Sequence, residues 1–396
     1  MTHGTHIVNF PDSLSDTCAF MTSESCAHKT NQQRNGNRGN AARLLHTALH
    51  SPSAASRFSE NDWDLLLRVA RNEGLLARIA IQLSQDPALN HVPPEAQDQM
   101  KAARAIAADH ARMIRWEVDR IQHALAPLQI PVLLLKGAAY LLSNLPLASG
   151  RLVSDVDILV PQDSLQHAET ALLAAGWKHL KLDSYDQQYY RRWMHELPPL
   201  RHQSRGTIVD VHHRILPPTS RLNLKPDQLW SASITLTDSG LRVLSREDML
   251  LHCAIHLFHD GDLDHGLRDL VDLHDMFNDF GQEPGYWNKL VKRARGLGVG
   301  RPLFYSMRYS AKLLGTKIPP EVCMAIELSA PVWPIKKIMD ILVCRALRPD
   351  HPDNPTVGMA LARWLLYVRS HYLRMPLKLL IPHLLRKSFK GRIPST

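Results

Sequence analysis

The sequence predicts an α+β protein in which a small block of strands and helices lies between two helical regions. Three observations support this prediction. Apolar residues recur at helical spacing up to about residue 128. At Ile130 the pattern changes to short apolar runs, the first of which ends at Gly137. Helical spacing returns after Ser245 and continues towards the end of the chain, with breaks at prolines.

The N-terminal part begins with a polar segment and continues as a helical region. Residues 1–44 are rich in Ser, Thr, Asn, Gln and Gly and poor in large apolar side chains, so we predict disorder there. They show neither the charged start nor the apolar stretch of a signal peptide. Residues 45–128 carry two helical patterns, WDLLLRVARNEGLLARIAIQL and MKAARAIAADHARMIRWEVDRIQHAL, and a Pro-containing loop separates them.

The predicted middle block covers residues 129–244. It begins with a buried strand from Ile130 to Lys136, followed by a helical turn or two. Next, SDVDILVP predicts a second strand, and DSLQHAETALLAAGW predicts a helix with Asp163 or Ser164 as its N-cap. A hairpin that turns near Ser204–Gly206 and a short strand, GLRVLS, complete the block.

The C-terminal part is predicted to be helical and increasingly basic. A capping box of the Ser-x-x-Asp kind at Ser245 predicts the start of a long helical stretch. We predict that residues 245–330 form a helical domain packed on the middle block and that residues 331–396 form a basic helical region. The net charge is +9, and from residue 354 onward the chain has eight Lys or Arg residues and no Asp or Glu.

This charge distribution limits the partners and the location that the sequence predicts. The rest of the chain is almost neutral, so a specific nucleic-acid partner is not expected. Residues 359–392 mix aromatic, apolar and basic side chains, which permits contact with an anionic membrane surface, an acidic partner or RNA, or packing on the core with a solvated basic face. The sequence has no uncharged apolar run of about 18 residues, so we predict no membrane-spanning helix. Five scattered cysteines suit a reducing cytoplasm. We therefore expect a cytoplasmic protein, with or without contact at the inner membrane surface.

Two acids inside the second predicted strand are the main indication of function. Asp155 and Asp157 point to the same side of the strand because they are two residues apart. Neighbouring carboxylates repel each other unless one is protonated or a cation lies between them. Mg²⁺ binds one or two carboxylates together with substrate phosphates. Asp210 supplies a third acid from another apolar strand, TIVDVHHRI, which favours a metal site over an ordinary Asp-x-Asp pair at a strand end.

Residues around this acid pair are candidates for binding phosphate. Lys136 and Gly137 precede it by one strand–helix step; glycine lets the backbone approach a phosphate, and lysine offers a point charge to a triphosphate. Arg151 and Ser154, just before the first acid, can reach phosphate oxygens. The alternative is a plain strand–turn–helix corner with an exposed lysine.

The motifs LLLKGAAY, RLVSDVDILV and GTIVDVHHR together resemble the uncharacterised nucleotidyltransferase family of bacteria, within the DNA polymerase β-like superfamily. The resemblance covers roughly residues 45–310. It implies a minimal polymerase β-like core, with a small mixed sheet and flanking helices. It also implies Mg²⁺-dependent transfer of NMP from an NTP to a hydroxyl or similar acceptor on a small molecule, saccharide or peptide, with release of pyrophosphate. Mn²⁺ is a possible substitute for Mg²⁺.

The resemblance also implies roles for individual residues. Asp155 and Asp157 would be the metal pair, and Asp210 the third acid, able to act as general base on the acceptor hydroxyl. Lys136 and Gly137 would hold phosphate. Further candidates to line the cleft are His212, His256 and Arg268. His212 shares the strand face of Asp210 and could orient that acid.

Two other functions stay open at this point. A catalytically inactive nucleotide-binding or scaffold protein would keep the fold and dock through its basic tail. The presence of all three acids favours the enzyme, whereas Ala138 after Gly137, where the superfamily usually has Ser or Gly, favours the scaffold. A metal phosphohydrolase is the third possibility, since His252 and His256 share a helical face and His259–Asp260 resembles an HD motif.

Overall fold

The computed structural model describes residues 36–85, 92–180, 194–237, 239–261, 263, 265–349 and 358–376. Within these described ranges, four N-terminal helices precede the sheet: α1 (Gly36–His50), α2 (Glu60–Asn72), α3 (Leu76–Ser84) and α4 (Pro94–Leu125). Helix α2 begins at a capping box, in which the Ser59 side chain accepts from Asp62 N and the Asp62 side chain accepts from Ser59 N.

The start of helix α1 differs from the predicted end of the polar segment. Disorder was expected up to residue 44, but the helix begins at Gly36. Leu44, Leu45 and Ala48 of this helix are buried in the core, which explains why the chain is ordered before the long apolar patterns start. His50 at its end makes an edge contact with the His274 ring, with centroids 5.0 Å apart. The expectation for residues 1–35 lies outside the described residues.

The middle of the chain forms one mixed sheet of seven strands, which confirms the predicted α+β fold with a small mixed sheet. Its spatial order is β3-β4-β5-β2-β1-β7-β6. The strands are short: β1 (Leu133–Leu134), β2 (Asp155–Leu159), β3 (Trp177–His179), β4 (Leu200–His202), β5 (Ile208–His212), β6 (Ile234–Thr235) and β7 (Arg242–Val243).

Among its described residues, this middle region has three short helices: α5 (Lys136–Leu142), α6 (Leu165–Ala174) and α7 (Pro226–Ala232). Helix α6 confirms the helix that the sequence predicts there. Ser164 occupies its N-cap position without a side-chain capping bond. The long helix α4 packs against α5, α6 and strand β2, and so covers the sheet. Strands β4 and β5 pair antiparallel, which confirms the predicted hairpin.

Seven helices and one π-helical turn form the described C-terminal part: α8 (Arg246–Ile255), the π-helical turn (His256–Asp260), α9 (Gly266–Phe280), α10 (Tyr286–Gly296), α11 (Gly300–Leu314), α12 (Pro320–Glu327), α13 (Trp333–Ala346) and α14 (Met359–Arg374). The predicted cap of α8 is present, since the Ser245 side chain accepts from Asp248 N at 3.2 Å. Helix α8 packs against α9, α10 and α11.

Helix α14 is held against the rest of the molecule. It packs on α13 and on the π-helical turn, where Arg369 donates to the carbonyl oxygen of Phe258 at 2.8 Å. Gly261 ends that turn with a φ of 68°, and a Cβ there would lie 2.4 Å from Ser370 Cβ of α14. Within the described ranges, no helix has the length and apolar character needed to cross a membrane.

Candidate active site

The register of strands β2 and β5 brings the predicted acids together. The two strands are parallel, with Asp157 opposite Asp210 and Asp155 opposite Ile208. Because side chains alternate along a strand, the three acids and His212 share one face of the sheet. Val156 and Ile158 point to the other face and are buried in the core. The apolar residues of β2 therefore fix the strand, and its acids face the site.

Asp157 is the buried centre of this face. Its Oδ1 lies 2.9 Å from Lys136 Nζ and 3.0 Å from His212 Nε2. Burial alone would raise the pKa of Asp157, but these two partners outweigh it and hold that pKa far below its usual range. In the same way, burial opposes the charge on Lys136, yet the carboxylate beside it raises the lysine pKa. A lysine and a hydrogen-bonding histidine thus make a buried carboxylate tolerable in the strand.

Lys136 reaches Asp157 from an unusual backbone position. Its φ is 45°, in the left-handed region that few residues other than glycine adopt. The residue opens helix α5 directly after strand β1, so the chain turns sharply there. Its side chain remains 26 % exposed. The sequence motif marked this corner, but the ion pair across 21 positions requires the folded sheet.

Asp210 has a different environment from Asp157. Its Oδ1 is buried and makes no hydrogen bond with the described part of the chain. Burial, and then the charges of Asp157 and Glu196, raise the pKa of Asp210 to about 7. Asp155 lies nearer to solvent and accepts from Ser154 Oγ at 2.9 Å. Three carboxylates with an unsatisfied buried oxygen fit a hard divalent cation, since such cations take oxygen ligands.

Arg151 is engaged in buried ion pairs. Its Nε donates to Asp272 Oδ2 at 2.7 Å, and its guanidinium lies 3.8 Å from Asp269 Oδ1 and over the Tyr140 ring. Burial opposes the charge, but the two carboxylates outweigh it and raise the pKa of Arg151. The arginine therefore joins the segment before β2 to helix α9. Its predicted role in phosphate binding stays a prediction.

Gly137 is explained in this structure by close packing. A Cβ on this residue would lie 2.6 Å from Arg151 Nη1 and 2.8 Å from Val153 Cγ2. Both distances are too short for a real Cβ contact, so a larger side chain would push helix α5 away from the segment that leads into β2. The glycine thus lets α5 sit against Arg151. Its predicted contact with phosphate also stays a prediction.

The remaining cleft candidates meet at Asp269 on helix α9. His256 Nδ1 lies 3.3 Å from Asp269 Oδ2, and Arg268 contacts Oδ1 of the same carboxylate at 3.3 Å. Burial opposes the charge on Asp269, but His256 and Arg268 outweigh it and lower its pKa. Asp269 also lies near Arg151, so these side chains extend the ion-pair network behind the acids. Contact of His256 or Arg268 with a ligand stays a prediction.

The metal phosphohydrolase hypothesis placed a metal on the histidine-rich helix, but the structure gives these histidines separate partners. His256 contacts Asp269, whereas His259 Nε2 faces Ser220 Oγ at 2.9 Å. A different set of side chains lies close enough to share a metal. Among the His, Cys, Asp and Glu residues that the structure describes, this set is His195, Glu196 and His212.

His195 and Glu196 are the site residues that the sequence reasoning missed. They directly precede Leu197 and the Pro-Pro pair, and Glu196 is the first residue of the segment predicted to form the hairpin. In the structure Glu196 forms a β-bridge with His212, and its Oε2 lies 3.2 Å from His212 Nδ1. The available signal was the position of His195 and Glu196 next to the apolar residues that follow them. Because those apolar residues were expected to enter the sheet, the ionisable pair could be expected at its edge.

A small mixed sheet with acids from two parallel strands on one face, beside a lysine at a strand–helix corner, defines a nucleotidyltransferase-type core. Residues 59–315 match the family model described as "Uncharacterised nucleotidyltransferase". The chain belongs to this family, which confirms the resemblance seen in the motifs. Comparison with curated proteins gave no match, and comparison with solved structures gave none either. Family membership supports, at this coarse level, a transferase activity.

Proposed function

We propose that the protein transfers an NMP group from an NTP to a hydroxyl or similar acceptor on a small molecule, saccharide or peptide. The acceptor oxygen attacks the α-phosphorus, the bond from this phosphorus to the bridging oxygen breaks, and pyrophosphate leaves. The observation that carries the proposal is the register that sets Asp157 opposite Asp210 on parallel strands, with Asp155 on the same face.

Asp155, Asp157 and Asp210 would hold the divalent cation, Mg²⁺ or Mn²⁺. A bound cation would supply positive charge against the phosphate oxygens and neutralise the carboxylates. We assign Asp210 as the acceptor of the proton from the attacking hydroxyl, since its free oxygen faces the site. The products are the nucleotidylated acceptor and pyrophosphate, and the proton of the attacking hydroxyl passes to Asp210.

Other residues of the chain would bind and orient the triphosphate. The Lys136 side chain is partly exposed and its Nζ lies against Asp157, so it is the proposed contact for phosphate oxygens. Ser154 Oγ, at the exposed end of β2, is a second donor. Gly137 and Arg151 support this corner from behind, the first through its lack of a side chain and the second through its ion pair with Asp272. Positioning of this kind contributes much of the rate in phosphoryl transfer.

Calorimetric titration with each NTP, with and without Mg²⁺, tests the proposal. We expect Mg²⁺-dependent binding by the wild type and by Asp163→Asn, a control that removes an exposed acid outside the site. Binding should be lost in Asp155→Asn/Asp157→Asn. Equal binding by that double variant would contradict the metal assignment. Release of pyrophosphate from a bound NTP when acceptors are supplied separates a transferase from an inactive nucleotide-binding scaffold, which would bind NTP and release none.

We also propose that the protein works in the cytoplasm and contacts the inner membrane surface through α13 and α14. The two helices pack together, yet several of their large apolar side chains face solvent, including Trp333 (67 % exposed) and Trp364 (57 % exposed). Asp340 is the one acid in the described residues 333–349 and 358–376, and it is buried against Arg308. Apolar and aromatic side chains on a basic surface suit an anionic lipid headgroup layer.

Flotation with lipid vesicles tests the membrane contact. We expect the full chain to bind vesicles that contain phosphatidylglycerol, to bind neutral phosphatidylcholine vesicles weakly, and to lose binding at high salt. Trp333→Ala/Trp364→Ala should reduce binding, whereas Ile106→Ala, which removes an exposed apolar side chain on α4, should not. Equal binding by the tryptophan variant and the wild type would contradict the proposed surface.

A further inference from the structure

A histidine-rich cluster lies directly behind the proposed catalytic acids. It consists of His195, Glu196 and His212, whose potential ligand atoms lie within 4.8 Å of one another. The backbone holds the three residues firmly: Leu197 N donates to Val211 O at 2.9 Å, and His213 N donates to His195 O at 2.9 Å. His195 and His212 are 8 % and 4 % exposed. The cluster is therefore an enclosed and preformed set of side chains.

The hydrogen bonding of His212 determines which of its nitrogens faces the cluster. Nε2 lies 3.0 Å from Asp157 Oδ1, so Nε2 carries the proton that this carboxylate accepts. Nδ1 lies 3.2 Å from Glu196 Oε2 without making a hydrogen bond, and in the neutral imidazole it carries the lone pair that a metal would bind. A lone pair and a carboxylate repel each other in a buried setting unless a cation lies between them.

His195 supplies the third side of the cluster. Its ring centroid is 5.4 Å from that of His212, and its Nε2 is 4.0 Å from Glu196 Oε2. Its Nδ1 is buried and has no hydrogen-bond partner in the described chain. Two imidazoles and one carboxylate are donors that suit a divalent transition metal.

We propose that His195, Glu196 and His212 form a second metal site, selective for a transition metal of the Zn²⁺ class rather than Mg²⁺. Two histidines and one glutamate leave a coordination position for water, as in open zinc sites. Asp157 takes the role of the carboxylate that orients a ligating histidine from behind. The site would fix residues 194–197 against strand β5 and hold His212 on Asp157. This inference is independent of nucleotide transfer, because metal would bind without an NTP.

Titration of the metal-free full chain with Zn²⁺ and with Co²⁺, in the absence of nucleotide, tests the site. We expect one equivalent to bind, unaffected by excess Mg²⁺, and the Co²⁺ form to show the intense visible absorption of a four- or five-coordinate ion. His195→Ala should abolish binding, and Asp157→Asn should weaken it by about 10- to 100-fold. Circular dichroism checks that each variant is folded. If a variant fails to fold, the Co²⁺ spectrum of the wild type still tests the site.

Two controls make the result specific. His213→Ala removes a neighbouring histidine outside the cluster and should retain Zn²⁺ binding. Asp155→Asn removes a carboxylate of the proposed Mg²⁺ site and should also retain it, even where NTP binding is lost. Loss of Zn²⁺ binding in Asp155→Asn, or equal binding by His195→Ala and the wild type, would overturn the assignment. Absence of binding by the wild type would show instead that a protonated His212 lies between Asp157 and Glu196.

Discussion

Lys136 Nζ lies 2.9 Å from Asp157 Oδ1, and this ion pair connects the strand–helix corner to the centre of the acid face. His212 Nε2, from strand β5, contacts the same oxygen at 3.0 Å. The buried carboxylate therefore has two cationic or hydrogen-bonding partners before any ligand binds. The charge of Asp157 is therefore balanced in the folded chain even without a metal. The stability of this part of the site does not require a bound cation.

Replacing Lys136 by Met should destabilise the protein through this carboxylate. Breaking a buried ion pair costs about 3–5 kcal/mol, and we expect a value near or below about 3 kcal/mol because His212 remains and the lysine is partly exposed. Urea denaturation measures the change. The double variant Lys136→Met/Asp157→Asn should be more stable than Lys136→Met alone, since it no longer buries an unpaired charge. A double variant less stable than the single one would contradict this account.

Gly137→Ala should be destabilising because the space for a Cβ is already occupied. The new atom would meet Arg151 Nη1 and Val153 Cγ2, and insertion of a methyl group into such a place costs about 1–3 kcal/mol. Thermal unfolding measures it. Gly296→Ala is the matched control, because a Cβ at that helical glycine meets nothing within 4 Å. Equal stability of the two variants would show that Gly137 is not packed as described.

Asp272→Asn should loosen the attachment of helix α9 to the segment before β2. It leaves the buried Arg151 guanidinium with Asp269 as its remaining carboxylate, 3.8 Å away. We expect a loss of about 3 kcal/mol in the free energy of unfolding. Asp279→Asn, at an acid further along the same helix, should change it by less than about 0.5 kcal/mol. A small effect of Asp272→Asn in chemical denaturation would contradict the proposed attachment of helix α9 through the Arg151–Asp272 ion pair.

Acidification should destabilise the contact between helices α1 and α9. Burial lowers the pKa of both His50 and His274 to about 4, whereas an unfolded histidine titrates near 6.5. Between these values the unfolded chain binds more protons than the folded chain, so stability falls as the pH drops from about 6.5 to 4. Melting temperatures across this range should fall less steeply for His50→Asn/His274→Asn than for the wild type. Parallel slopes would exclude these two histidines as the cause.

The sequence predicted the elements whose signals are local. The acid strand, the β4–β5 hairpin, helix α6 and the cap of helix α8 follow from alternation, turn residues and a four-residue box, which need only neighbouring positions. The first strand was expected over Ile130 to Lys136, but pairing is limited to Leu133–Leu134. Strands of two residues carry too few side chains for a period to be read, so their limits depend on the neighbouring strands.

The partners of the site residues depended on the folded chain. Arg151 resembled a phosphate ligand because it precedes the acids, yet its partner Asp272 is 121 positions away. His195 and Glu196 carried no recognisable spacing, since their third member, His212, joins them only through a β-bridge. Residue types close in sequence thus indicated the chemistry of the acid face, whereas pairing across the sheet determined which charges are already engaged.

Strand β1 has consequences for the order in which the chain can fold. It lies between β2 and β7, so Leu133 pairs with Leu159 on one side and with Arg242 on the other. During synthesis the β2–β5 pair can form once Ile208–His212 has left the ribosome, but one edge of β1 stays open until β7 follows. An open strand edge is a template for intermolecular pairing. Truncations that end between β5 and β7 should therefore assemble the acid face and still aggregate, whereas chains that extend beyond Val243 close the edge themselves.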